Sequence, residues 1–168
     1  QQYSYDDPQS KTYQNYHPGK SRLVIMTFVF GDPTDGSLDG IRKRVGCFNT
    51  KNGIFLESKN GEVFLVIRSN ESGTVVNNRV AHLNWNYDTF DGNGKSKIKL
   101  DFTKSQILVI DFEWLGVGCV RCGFVIDGSF FLAHIFKHTN YINTVYMSSP
   151  NLPLRFEIMK TKDNDNTG

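Results

Sequence analysis

Seven dipeptides punctuate this chain at short intervals: Asp35-Gly36, Asp39-Gly40, Asn52-Gly53, Asn60-Gly61, Ser72-Gly73, Asp91-Gly92 and Asp127-Gly128. Each supplies residues that tolerate positive φ, which two-residue hairpin loops require. Between them lie runs rich in β-branched and aromatic residues: 22–30 (RLVIMTFVF), 41–48 (IRKRVGCF), 62–69 (EVFLVIRS), 106–114 (QILVIDFEW), 119–126 (CVRCGFVI) and 129–136 (SFFLAHIF). None sustains an amphipathic 3.6-residue period. Turn signals at this frequency predict many short antiparallel strands, about eight to eleven in a chain of this size. The expected fold is therefore all-β, an antiparallel two-sheet sandwich of jelly-roll or concanavalin-like type.

With 168 residues, 39% of them hydrophobic, one sizeable core is within reach and one domain is the economical count. Residues 1–21 are polar and tyrosine-spotted, interrupted by Pro8 and Pro18-Gly19, and read as an extended arm that could reach a neighbour. Residues 22–159 form the expected sandwich. Residues 160–168 read as a polar tail or linker. The chain opens on Gln1-Gln2 with no signal-peptide pattern, and the expectation is a processed form or an excerpt of a longer protein. It has no apolar run near the roughly 18 residues that span a bilayer. A net charge of +2 is too small to steer nucleic acid or a membrane surface. Three cysteines are too few and odd in number for a disulfide scaffold, and they suit a reducing compartment.

Several constellations could carry chemistry. Cys119-x2-Cys122 precedes His134-x3-His138 at nearly the spacing of a two-Cys two-His zinc site, but residues three apart in a strand face opposite ways. The strand reading makes the cysteines small hydrophobes and sets zinc aside. Asp111 and Glu113 alternate onto one face of the 106–114 strand, with Phe112 and Trp114 on the other. Such a pair could serve a retaining glycosidase, whose carboxyl groups stand about 5 Å apart, or could simply pair with Arg121 on the next strand. Asp88, Asp91 and Asn93 offer oxygen ligands for a hard cation, against the alternative of an Asx-rich turn. Gly116-x-Gly118 lacks the third glycine of a nucleotide fingerprint and reads as a turn or bulge. Asn70-Glu71-Ser72 fits a glycosylation sequon, with a polar turn as the plainer reading. Trp85, Tyr87 and Tyr141 are candidate aromatic platforms for a glycan or receptor. The one dense basic run, Arg42-Lys43-Arg44, is a candidate contact for an acidic or glycan partner, with a solvated strand face as the alternative.

The stretch VIDFEWLGVGCVRCGFVIDG (109–128), followed by VYMSSPNLPLRFEI (145–158), resembles a module recurring in structural proteins of tailed phages and large DNA viruses. The pieces YHPGKSRLVIMTFVF, GIRKRVGCFNTKNGIFLE and WNYDTFDGNG fit the same pattern, so the resemblance spans roughly residues 16–158. In that pattern a basic residue stands where this chain has Cys119, and no cysteine is required at 122. The resemblance implies a virion structural domain, capsid-associated or part of a fibre or tail, made in the host cytoplasm and acting through assembly contacts with other virion proteins and with copies of itself. It implies no catalytic residues, no cofactor and no metal. A carbohydrate- or receptor-binding lectin-like module, engaging a host-surface glycan, is the alternative expectation. A glycoside hydrolase resting on Asp111 and Glu113 is the third.

Overall fold

The computed structural model of the chain describes residues 21–114, 118–137 and 140–161. Among the described residues, nine strands alternate with tight turns in the order β1 (Ser21–Phe28), β2 (Ile41–Phe48), β3 (Gly53–Lys59), β4 (Glu62–Ser69), β5 (Val76–Ala81), β6 (Gln106–Trp114), β7 (Gly118–Ile126), β8 (Ser129–Lys137) and β9 (Leu154–Lys160); a helix, α1 (Asn140–Ser148), lies between β8 and β9. The strands form two antiparallel sheets. The four-stranded sheet runs β1-β6-β7-β8 and the five-stranded sheet runs β5-β4-β3-β2-β9. The fold is a β-sandwich, as expected, and the strand order defines its wiring: each sheet is a meander that takes its first or last strand from the other end of the sequence.

Local turn chemistry sets the register. Asn60 and Gly61 both adopt positive φ (48° and 83°), as do Asp127 and Gly128 (51° and 79°). This is the backbone of a type I′ turn, whose twist matches that of the flanking strands. The β3–β4 hairpin accordingly pairs Lys59 with Glu62, and the β7–β8 hairpin pairs Ile126 with Ser129. Near the middle of the second hairpin the register slips between Cys122 and Gly123. This bulge leaves the Ala133 carbonyl free of the ladder to accept from the amides of Tyr87 and Asp88, tying the long β5–β6 connection to the sheet.

Alternation then sorts the side chains. Val24 and Phe28 of β1, Leu108, Ile110 and Phe112 of β6, and Val120, Cys122 and Phe124 of β7 meet Val45 and Cys47, Ile54 and Leu56, and Val63, Leu65 and Ile67 of the facing sheet in one buried core. Ile142 and Val145 of α1 plug one end of it. Trp85, Phe90, Leu100 and Phe102 of the β5–β6 connection fill the other part. Ser21 and Lys160 both lie in strands, which extends the expected sandwich by one residue at each end. Thr161 of the expected tail is buried and donates its amide and hydroxyl to the Gly40 carbonyl; the rest of the expected arm and tail lies outside the described residues. No helix among the described residues is long and apolar enough to cross a membrane.

Candidate functional site

The outer face of the five-stranded sheet carries the densest polar chemistry. Alternation splits the basic run: Arg42 and Arg44 point outward, while the Lys43 ammonium donates to the Phe30 carbonyl. Arg42 is 5% exposed and Arg44 2% exposed. The run is therefore neither a solvated face nor an open patch for an acidic partner, which corrects both expectations. Cross-strand pairing explains why. Register places Arg44 between Glu57 of β3 and Glu157 of β9. Arg44 Nε donates to Glu57 Oε2 at 2.7 Å and Arg79 Nε to Glu57 Oε1 at 2.8 Å, while Arg155 Nη2 reaches Glu157 Oε2 at 3.0 Å. Burial opposes ionisation of Glu57, but the hydrogen bonds and charges of Arg79 and Arg44 outweigh it and hold the carboxyl below its ordinary range.

Beneath these charges lie Phe48, Phe55 and Val66, a small apolar cluster separate from the main core. The Arg44 guanidinium lies 4.7 Å from the Phe55 ring centroid, Arg68 5.1 Å from the same ring, and Arg155 4.9 Å from that of Phe48. Stacking over rings lets a weakly hydrated guanidinium leave water at low cost. Arg68, which donates to Asn77 Oδ1 and the Asn49 carbonyl, is pushed down to about 10 by burial and by the like charge of Arg44. The face is thus closed by its own side chains.

On the outer face of the four-stranded sheet, Asp111 and Glu113 do share one side, with Phe112 turned into the core. Arg121 sits opposite Asp111 on β7. Its Nε lies 3.4 Å from Asp111 Oδ2 and its Nη2 2.6 Å from Glu113 Oε2. One guanidinium bridges both carboxylates, the cross-strand pairing anticipated as the alternative to acid–nucleophile chemistry. Cys119 stands on this same face opposite Glu113, whereas Cys122 faces the core opposite His134. The two thiols lie on opposite sides of the sheet, as strand geometry requires. Burial raises both of them, and His138 lies outside the described residues. His134 Nδ1 accepts from the Asn86 amide. Burial lowers its imidazole to about 4. Among the described residues no group of three His, Cys, Asp or Glu side chains is placed to share a metal.

The Asp88–Asn93 loop uses its oxygens internally. Asp88 Oδ1 accepts from the Phe90 amide and Oδ2 from the Ser96 amide, at 2.9 and 2.7 Å. Asp91 Oδ1 takes the Thr89 hydroxyl and the Asn93 amide. Gly94 is pressed against the Asp88 carboxylate, where a Cβ would come within 2.2 Å of Oδ1. This is the Asx-rich turn. The hydrogen bonds from Thr89 and Asn93 lower the Asp91 carboxyl to about 2.

A cleft of about 1080 Å³ opens beside the β3–β4 turn, walled by Asp32, Glu62, His82, Asp91, Lys99 and Asp101 around a Phe102 floor. Asp32 and Asp101 are built alike, each Oδ1 accepting the amide and hydroxyl of a threonine two residues on. The lining is acidic. Neither Trp85 nor Tyr87 walls this cleft. Trp85 is 4% exposed, packed on His82 and Phe124 with its indole N–H donated to the Val80 carbonyl, so it is a core residue and presents no binding face. Tyr87 is exposed, with the Lys95 ammonium 5.6 Å from its ring centroid. The side chain of Tyr141 lies outside the described residues, as does Gly116.

Among the elements that sequence reading missed, β9 stands out. Its inward row, Leu154, Phe156 and Ile158, is 58%, 45% and 62% exposed. Only Phe156 finds a ring partner, Phe30 at 6.2 Å. The alternation of LRFEIMK was the signal for a strand, but nothing local says that its apolar side lacks a cover. No family model, curated protein or solved structure matches the chain.

Proposed function

We propose that this chain is a non-catalytic assembly module, a structural component of a virus particle that works through contacts between copies and with other coat, fibre or tail chains. The observation that carries the assembly half is the exposed apolar row of β9. An edge strand showing both unpaired main-chain groups and large hydrophobic side chains is a template for further pairing unless it is shielded. The chemistry elsewhere supports the same reading, because the arginines of the five-stranded sheet are engaged by Glu57, Glu157 and ring stacking within the fold and the paired carboxylates are tied to Arg121. The virion placement is supported by the resemblance of residues 16–158 to virion modules. Sedimentation velocity tests the assembly half: the chain is expected to self-associate at micromolar concentration, and a strictly monomeric chain that also fails to purify with particles overturns the proposal.

A second reading, binding of a glycan or receptor, is favoured by the end cleft alone. Carboxylates with a second oxygen available at a Phe102 floor are suited to sugar hydroxyls. A glycan array separates the two, since an assembly-only domain retains no sugar. Asp101→Asn is expected to abolish any binding that occurs in the cleft.

A further inference from the structure

Five arginines gather on the outer face of the five-stranded sheet: Arg42, Arg44, Arg68, Arg79 and Arg155. Among the described residues, two carboxylates meet them, Glu57 and Glu157, which leaves the cluster a surplus of positive charge. Glu157 is spread thin. Arg155 Nη2 reaches one of its oxygens at 3.0 Å, while Arg42 and Arg44 stand 3.6 and 3.8 Å from the other. Arg68 is buried and donates to neutral acceptors, Asn77 Oδ1 and the Asn49 carbonyl. Buried charge of one sign is costly unless an opposite charge meets it.

Within this surplus, Arg44 Nη2 is buried and finds no acceptor among the described residues. A buried donor in that state marks the place of an ion or water that completes it. The surrounding guanidiniums converge on one ring pair. Phe48 and Phe55 lie 4.7 Å apart; Arg44 and Arg68 stack on Phe55, and Arg68 and Arg155 on Phe48. A ring takes the face of a guanidinium and leaves its N–H edge available. Three charged forks are thus fixed in place around one spot.

We propose that this spot is a binding site for a small divalent oxyanion of the phosphate or sulfate class, held by Arg44, Arg68 and Arg155 above the Phe48–Phe55 pair. The planar fork of arginine matches the oxygens of such an anion and bonds them with charge assistance. Two negative charges offset most of the surplus. Depth decides the form of the ligand. Arg42 and Arg44 are almost fully buried, so the face is closed to a group carried on a macromolecule and admits a free ion past Arg155, the most exposed of the five arginines. The site goes beyond the assembly reading and does not depend on it.

The test titrates the full chain, in a buffer free of multivalent anions, with sodium sulfate and with sodium phosphate, against sodium chloride at matched ionic strength. Calorimetric binding and the thermal midpoint are the readouts. Both oxyanions are expected to bind saturably, with a dissociation constant of about 1 mM or below, and to raise the midpoint with the logarithm of concentration. Arg155→Met and Arg68→Met are each expected to weaken that binding at least about tenfold, since each removes a charge-assisted donor. If Arg68→Met fails to fold, Arg155→Met carries the test, because that side chain reaches solvent. A heparin-derived oligosaccharide as a further titrant separates a free ion from a carried group. Binding of the oligosaccharide without binding of the free ions overturns the proposal. So does a midpoint that climbs linearly with sulfate and equally in the unsubstituted chain and the variants, which is the general exclusion of that salt. Saturable binding that no variant weakens, or no response to either oxyanion, overturns it as well.

Discussion

Strands β2 and β9 are hydrogen-bonded neighbours, with Arg44 set against Glu157 and Gly46 against Arg155, yet they invert the usual relation between polarity and burial. On β2 the charged side chains Arg42 and Arg44 are buried; on β9 the apolar side chains Leu154, Phe156 and Ile158 are exposed. Residue type does not decide the outcome. Position does. The outward side of β2 is flanked on both sides by strands that deliver carboxylates in register, so its guanidiniums leave water against Glu57 and Glu157. The inward side of β9 lies beyond β2, which is the strand that contacts β1 of the opposing sheet, so Leu154 and Ile158 stay exposed and Phe156, though in contact with Phe30, is still 45% exposed.

That contrast makes Glu57 the most consequential side chain on the buried face. Removing one partner of a buried ion cluster leaves the others uncompensated. Glu57→Gln is expected to cost about 4 kcal/mol, read as a lower urea midpoint at constant slope. Arg44→Met together with Glu57→Leu is expected to recover much of that loss, since replacing a buried pair with apolar groups of similar volume is often close to neutral. If the single variant is nearly silent, the cluster is solvated and the contrast with β9 collapses.

His134 sharpens the same comparison, because it is a buried polar group with no counter-charge among the causes acting on it. Glu57 is held ionised by its arginines, while His134 is held neutral by burial, from an ordinary 6.5 to about 4. A folded-state value below the unfolded one means that the unfolded chain binds the extra proton first. Stability from this group is therefore complete above about pH 6.5 and is lost as pH falls toward 4, by about 3 kcal/mol in all. Burial lowers His82 as well, so its titration adds in the same direction. His134→Gln is expected to remove the larger part of the slope between pH 6.5 and 4 in urea titrations, and an unchanged slope would assign it to other groups.

Much of the sandwich was legible because turn chemistry and strand chemistry agree. The runs 41–48, 62–69 and 106–114 coincide with β2, β4 and β6, and β1, β7 and β8 differ from expectation by one or two residues at an end. The elements that escaped notice are those with mixed patterns. The β3 segment GIFLESK turns from apolar to charged halfway along, the β5 segment VNNRVA is a polar edge strand, β9 alternates charge with hydrophobe, and α1 (NYINTVYMS) is a helix of β-branched and aromatic residues that packing, not propensity, stabilises. The Asp111–Arg121–Glu113 bridge could be read from alternation and one hairpin. The Glu57 cluster could not, since it needs four strands in register. The exposure of β9 depends on the count of strands in the opposite sheet, which no local pattern encodes.

Two small substitutions measure how differently the paired strands are packed. At Gly46 an added Cβ would meet the Ile54 carbonyl oxygen at 2.3 Å and the Phe55 Cα at 2.6 Å, main-chain atoms that cannot swing aside. Gly46→Ala is expected to cost about 2 kcal/mol as an overpacking change. Across the ladder, Ile158→Ser exchanges a large hydrophobe for a small polar group on a side chain already in water. In dilute monomer its effect on the urea midpoint is expected to stay within about 0.5 kcal/mol, as for other surface positions. A loss well above that at low concentration would mean that Ile158 is covered within its own chain, and the row on β9 would then belong to the core after all. A loss that grows only as concentration rises would instead place the cover on another molecule, because stabilisation by a partner follows mass action.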